Sequence, residues 1–501
     1  MSLPLGRVPW PPKSLDIVLP KLAEWNAWYA GDPALLQSVY GRSQVVPIDK
    51  VAQYRGGVGG ALARMWWGRP IGDLTRRHDQ LHVPLAADLC QTSADLLFSE
   101  PVTIAVGDAA TQDRVDELCG EGLHTIFAEG AEIAAALGGV YLRVTWDTNA
   151  SSAPFLTLVH ADAAVPEFRW NKLTAVTFWR VLVVDGQRVL RHLERHETTL
   201  DGTGIILHGL YWGTEDNLGE TTPLTEHSST AGLATLVDPQ ATISTESPGL
   251  AVVYVQNQRP QRRWRTDQVG ASLGRSDLDG VESLMDALDE TYSSWMRDVR
   301  LAKARLVVPE YMLENLGVGK GAAFDSDREV YSPLKMAPSE SDEKQITAHQ
   351  FAIRFAEHKA TADELVASIL RTAGYSAQTF GEAEVGSAMT ATEIQSKERR
   401  SYMTRDRKIR LWRPAITDII EKLLAVDNVI FKSGVLVQRP DVEFSDGVQA
   451  DPEALARTAQ ALRAAQAAST ATLVGMQHPE WDEQTTMAEV DLILAESGMA
   501  V

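Results

Sequence analysis

Between Ser276 and Lys303 the apolar residues Leu278, Val281, Met285, Leu288, Tyr292, Trp295 and Val299 recur at spacings of three and four. That period belongs to one face of an α-helix. At 1.5 Å per residue the run predicts a rod about 40 Å long. Ser276 is its expected cap, with Asp279 at the third helical position. Its first half is acidic (Asp277, Asp279, Glu282, Asp286, Asp289, Glu290) and its second half basic (Arg297, Arg300, Lys303, Arg305), an order that complements the helix dipole. An irregular segment with strand pieces follows, VVPEYMLENLGVGKGAAFDSDREVYSPLKM. A second long helix is expected from near Asp342 to near Thr372. Two long helices around a compact insertion describe a stalk with a head.

The flanking regions differ in texture. Leu15–Ala30, Pro84–Leu97 and Val115–Leu137 read as helices, the last ended by Gly138 and Gly139. From about 140 to 270, short β-rich runs such as GVYLRVTWD and LTAVTFWRVLVVDG are punctuated by Gly, Asp and Asn, so a mixed sheet region is expected. Residues 374–388, GYSAQTFGEAEVGSA, read as a glycine-bearing loop. A capping box at Thr390 and Glu393 then opens a strongly basic helix expected to run towards Leu424, kinked or split at Pro414. Asp451 and Pro452 start a closing helical pair, with a break at His478-Pro479 and a last helix over Glu483–Glu496. The secondary-structure class is α+β.

A chain of 501 residues implies two or more domains. Its formal charge of -20 argues against a surface that coats nucleic acid, though not against a local patch. Cys90 and Cys119 form no CxxC pair, so a reducing compartment fits. The start, MSLPLGRVPWPPKSLD, lacks the apolar region of a signal peptide, and no apolar run is long enough to span a bilayer.

Motifs for chemistry are missing. GVGKGA, Gly317 to Ala322, fails as a phosphate loop: Glu314 replaces the first glycine and Gly321 the magnesium-binding hydroxyl. His192 and His196 have the spacing of helical zinc ligands but sit among strands, where about 13 Å would separate them, so strand-surface histidines are expected. His78 and His82 lack the glutamate of HExxH. There is no GxSxG elbow. The expectation is a non-enzymatic protein with no metal and no cofactor.

Three stretches carry a resemblance. LHVPLAADLCQTSADLLFSEP (Leu81–Pro101), WYAGDPALL (Trp28–Leu36) and the order helix, insertion, helix, loop, long helix between 276 and 424 are together similar to portal proteins of tailed double-stranded DNA bacteriophages. The similarity is to the siphophage type, especially in phages of actinobacteria, and covers nearly the whole chain. It implies a ring, commonly of twelve subunits, at one capsid vertex. DNA enters through it under the terminase motor and leaves towards the tail. Mapped onto this sequence, the wing is 1–275, the stem 276–304 and 343–372, the clip 305–342, the tunnel loop 373–389, the tunnel helix with the rest of the wing 390–450, and the crown 451–501. The implied partners are further copies of the chain, the major capsid protein, the terminase large subunit, a head-completion or adaptor protein and the DNA, with no membrane. The implied location is the virion, after assembly in the host cytoplasm.

On that resemblance Gly381, Glu382, Glu384 and Gly386 line the channel, where the carboxylates repel phosphate. Arg399, Arg400, Arg405, Arg407, Lys408 and Arg410 either face DNA or pair with acidic faces of a neighbouring subunit. Leu278, Met285, Tyr292 and Trp295 are expected to pack stem against stem. Two other readings stand beside this one: a head-associated structural protein without a channel, and a nuclease or hydrolase on the same scaffold.

Overall fold

The computed structural model describes residues 3–40, 80–120, 122–147, 151–302, 305–309, 331–334, 347–349, 353–381, 391–445, 452–478, 481 and 483–496. The N-terminal helices α1 (Leu19–Ala30) and α2 (Pro33–Val39) are joined at Gly31, whose φ of 63° is the left-handed turn that ends α1. The Asp32 carboxylate accepts from the amides of Ala34 and Leu35 and caps α2, with Pro33 in the first turn. Helix α3 (Leu85–Phe98) follows, then strand β1 (Thr103–Ala105).

The helix expected over Val115–Leu137 is two, α4 (Ala109–Cys119) and α5 (Gly122–Leu137). Gly120 has a φ of 37°, outside the right-handed region, and interrupts the run. The expected sheet region is present. Strands β2 (Gly139–Thr145), β3 (Phe155–His160) and β10 (Val252–Gln256) form one antiparallel sheet in the order β10-β2-β3. The larger sheet runs β4 (Ala164–Arg169), β5 (Lys172–Asp185), β6 (Arg188–Thr198), β7 (Thr203–Thr214) and β8 (Asn217–Thr222), with β9 (Thr242–Pro248) also paired to β7. Between β8 and β9 lies the short helix α6 (Ser228–Ala231).

The long amphipathic helix starts later than its pattern suggests. α7 covers Glu282–Leu301, 20 residues and about 30 Å. Gly280 adopts φ 93°, which no helix accepts. The Ser276 hydroxyl donates to the carbonyl of Ala136 rather than capping α7. Asp277 is thereby held ahead of the helix and inside the protein. The partner helix α8, Phe355–Ala373, also begins later than residue 343, because Thr347–His349 (β13) is a strand. It pairs antiparallel with β11 (Arg305–Pro309), which pairs parallel with β12 (Tyr331–Leu334). The insertion therefore carries a three-stranded sheet that closes beyond residue 342. The GVGKGA stretch lies outside the described residues.

Helix α9 runs unbroken over Ala391–Ile430, with Pro414 inside it. A mid-helix proline costs about 3 kcal/mol. Trp412, Ile416, Ile419, Ile420 and Leu423 around it are all buried, and each such aliphatic side chain returns roughly 2 kcal/mol. Packing outweighs the local penalty, so the helix does not split. Strand β14 (Asp441–Glu443) then returns to pair with β1. The closing pair is a trio: α10 (Pro452–Ala464), α11 (Thr470–Gln477) and α12 (Glu483–Glu496). Gln466 at φ 55° ends the first, and the Ser469 side chain caps the second.

Among the described residues the two largest of five hydrophobic clusters hold the helices. One gathers Trp25 and Trp28 of α1, Leu89 of α3, Met285 and Leu288 of α7, and Ile369 and Leu370 of α8. The other packs Phe98 of α3, Phe127 of α5 and the β2 face against Trp412, Ile416 and Ile420 of α9. Helix α3 contributes to both, so α9 is bound to the base of the α7–α8 pair.

Candidate functional site

The basic residues of α9 separate into two sets. Arg399, Arg400, Arg407 and Arg410 are exposed, as is Arg413, which the sequence reading did not include. Lys408 and Arg405 are buried. At 3.6 residues per turn Arg399, Arg410 and Arg413 lie opposite the buried Ser401, Lys408 and Ile419. The exposed guanidinium groups therefore make one stripe. Arg405 Nε donates to the Leu96 carbonyl at 2.6 Å, and its Nη2 to that of Ser445. It ties the last turn of α3 to the segment after β14 and is buried. Arg400 Nη2 donates to the Arg371 carbonyl at 2.5 Å, near the end of α8.

Lys408 is the centre of a buried polar node. Its Nζ lies 2.5 Å from Asp277 Oδ2 and 2.5 Å from Ser93 Oγ. The same carboxylate oxygen accepts from Tyr375 OH at 2.7 Å. Asp277 Oδ1 accepts from Asn257 Nδ2 at 2.7 Å and Gln258 Nε2 at 2.5 Å. The Asp277 carboxylate, on the approach to α7, thus gathers the end of β10, the exit from α8 and α9, and Lys408 carries the node on to Ser93 of α3. Burial pulls the Lys408 ammonium below its ordinary range, against the upward pull of Asp277. Burial, with Asp277 beside it, pushes the Tyr375 phenol well above its ordinary range, so it acts as a hydrogen-bond donor. An ion pair this dry is tolerable because its other lone pairs are satisfied.

One turn up, Thr404 Oγ1 donates to the Gly374 carbonyl at 2.7 Å. Ser401 Oγ accepts from the Ser376 amide at 3.0 Å and lies 2.8 Å from Thr379 Oγ1. Ser401, Thr404 and Lys408 are spaced by three and four, so they form a polar line along α9. That line holds the first residues after α8 in place. Gly374 and Gly381, with φ of 102° and 74°, turn the chain at the two ends of the held segment. Gly381 is the last described residue there; Glu382, Glu384 and Gly386, and the capping Thr390, lie outside the described residues. The clamp leaves little trace in the sequence. Its only signal is three hydrogen-bonding residues on the helix face that is otherwise apolar.

The helix pair also differs from expectation in detail. Leu278 and Met285 are buried in the chain's own core, so they have no surface to offer a neighbour. Tyr292 and Trp295 are half-buried. The Trp295 ring stacks on His358 and meets Phe355 edge-on, so its first contacts are within the chain. Asp298 ties the pair at its far end, 2.9 Å from Arg354 and 3.0 Å from His358. Near it Met296, Val299, Ile353 and Phe355 are exposed.

His192 and His196 are buried, not on the strand surface. His192 meets His208 at 3.2 Å, and His196 meets Glu194 at 2.7 Å. His82 contacts Asp289 at 2.9 Å, while His78 lies outside the described residues. Among the described residues no group of three or more His, Cys, Asp or Glu side chains could hold a metal. No described helix is long and apolar enough to cross a membrane.

A family described as "Phage portal protein, SPP1 Gp6-like" matches residues 216–501. Among solved structures, a chain from the neck of a native GTA particle computed with C12 symmetry is 12% identical over 82% of this chain and 95% of that chain, with a TM-score of 0.34. A chain from the virion of a native gene transfer agent particle is 12% identical over 84% of this chain and 99% of that one, with a TM-score of 0.36. No curated protein matches.

Proposed function

The chain belongs to the SPP1 Gp6-like phage portal family, and on that footing we propose that it forms the ring through which double-stranded DNA enters and leaves a capsid. The ring has about twelve copies and sits at one vertex of the virion, after assembly in the host cytoplasm. In this reading α7 and α8 are the stem, and the small sheet between them is the clip. The segment from Gly374 opens the tunnel loop, α9 is the tunnel helix, and α10 to α12 are the crown. The β-rich region with α1 to α5 is the wing, which meets the major capsid protein. The clip receives the terminase large subunit during packaging and a head-completion protein afterwards. The protein supplies a path and a docking surface, and the chemistry of ATP hydrolysis belongs to the motor.

The observation that carries the reading is the construction of α9. One face is a stripe of arginines without a carboxylate partner among the described residues. The opposite face clamps the loop exit and the stem base through Ser401, Thr404 and Lys408. A conduit needs this division. Phosphates must meet a few cations that keep the duplex centred, on a wall acidic enough overall to let it slide. The cations must also stand on an element that cannot yield. Negative-stain microscopy of the purified protein tests the reading. Rings with a central pore are expected; particles without a pore would favour a head protein that conducts no DNA. A hydrolysis screen with magnesium and manganese tests the enzymatic alternative, and no activity is expected.

A further inference from the structure

A cleft of about 890 Å3 lies in the β-rich region, and none of the residues lining it belongs to α9 or the helix pair. Its floor is a face of the large sheet. In the register of β5, β6 and β7, Phe178 is opposite Glu194, which is opposite His208, and Arg180 is opposite His192. Directly paired residues share a face. A sheet face that merely completes a core is apolar. This one carries Arg180, His192, Glu194 and His208, with Arg143 reaching in from β2.

Most of that polarity is satisfied internally. Arg143 Nη1 donates to both oxygens of Glu194 at 2.8 Å, and the His192 and His208 rings stack on each other. Arg180 is the remainder. It is exposed, it lines the cleft, and no carboxylate accepts a hydrogen bond from it among the described residues. Leu158, Leu233, Leu236 and Ile243 supply an apolar wall. The volume is that of a pocket for one small ligand, roughly 300–1,000 Å3. Asp147 and Asp162 also line it and would repel a polyanion.

We propose that this cleft binds an apolar group bearing a single carboxylate, with the carboxylate on Arg180 and the apolar body against Leu158, Leu233 and Leu236. A guanidinium pairs with a carboxylate through two parallel hydrogen bonds, and burial of the body supplies the rest. Two sources have this chemistry, the end of a peptide chain and a fatty acid.

The test uses the full chain in titration calorimetry, with tryptophan fluorescence as a second readout because Trp146 and Trp179 line the cleft. The probes are decanoate and N-acetyl-Leu-Leu-Leu with a free carboxylate. Decanol and the tripeptide amide are the neutral controls. Saturable binding of one probe per chain is expected, with the neutral counterpart about tenfold weaker or worse. Whichever carboxylate binds identifies the source. Arg180→Gln should remove the preference for the carboxylate. Gly232→Trp should abolish binding, since Gly232 lines the cleft and a Cβ there meets nothing within 4 Å. The proposal is overturned if neither carboxylate binds, if each binds no better than its neutral counterpart, or if Gly232→Trp leaves binding intact.

Discussion

The Lys408 ammonium sits 2.5 Å from Asp277 Oδ2, with side chains 1% and 0% exposed, across 131 positions of sequence. This pair joins the basic helix α9 to the approach of α7. Removing one partner strands the other charge in a dry site, which costs about 3–5 kcal/mol. Lys408→Met and Asp277→Asn should each lower stability by that order. The double variant should lose less than the sum, because no uncompensated charge remains. Denaturant unfolding at fixed protomer concentration measures it. Additive losses would mean that the two side chains do not act as a unit.

The second prediction concerns acid. Burial lowers the pKa of His192 to about 3 and of His208 to about 4, from an ordinary 6.5. Glu194, His196, Arg143 and Arg180 face the pair. Glu194 is itself held well below the carboxylate range, where the pull of Arg143 and His196 overcomes the effect of burial. A depressed histidine gives stability that is complete above 6.5. As pH falls below 6.5 the unfolded chain takes up protons that the folded chain refuses. Stability then falls by up to about 1.4 kcal/mol per pH unit for each histidine, until its folded pKa is reached. The melting temperature should drop between pH 6.5 and pH 4. His208→Gln should flatten that drop, and an equal slope in the variant would remove the pair as its cause.

The helix pair allows protomer stability and assembly to be separated. Trp295 packs on Phe355 and His358 of its own chain. Trp295→Ala should therefore destabilise the protomer by about 2 kcal/mol. Met296 and Val299 are 40% and 39% exposed on the neighbouring face. Met296→Asp with Val299→Asp should leave the protomer's melting unchanged and shift its sedimentation from ring to smaller species, since a neighbour would have to bury unpaired charge. Intact rings from this variant would place the subunit contact elsewhere.

The parts of this molecule governed by periodicity were readable from sequence. The spacing of Met285, Leu288, Tyr292 and Trp295 foretold a helix, and alternation foretold the strands between 140 and 270. What periodicity cannot reveal is which side of a helix the rest of the chain covers. Leu278 and Met285 looked available to a neighbour, but both are buried in a core shared with α1, α3, α5 and α8. Pro414 looked like a break because local propensity was weighed without the packing of Trp412 and Ile416. Gly280 decided the start of α7 through a backbone angle that no hydrophobic pattern records. Lys408 and Arg399 are the same kind of residue in sequence, yet one is buried against a carboxylate and the other meets solvent. Only the long-range partner, Asp277, distinguishes them.

The exposed arginines of α9 give the last prediction. Arg399, Arg407, Arg410 and Arg413 have no carboxylate partner among the described residues, and Arg407 adds to the positive potential at Arg275. A cluster of like charges left unpaired in the protomer is held for something that arrives later. In the proposed ring that is either the duplex or an acidic face of the next subunit, and the two have different salt signatures. Replacing all four by Gln removes charge from a face that makes no core contact, so folding should survive with its melting temperature within a few degrees. If the stripe meets DNA, rings should form normally. DNA retention should then fall most at low salt, where each lost phosphate contact counts most. In vitro packaging at two salt concentrations, beside a sedimentation profile of the empty rings, separates the cases. Normal rings with altered, salt-dependent packaging is the expected result. Dispersed rings would assign the stripe to the subunit interface, and wild-type packaging at both salts would remove it from the channel.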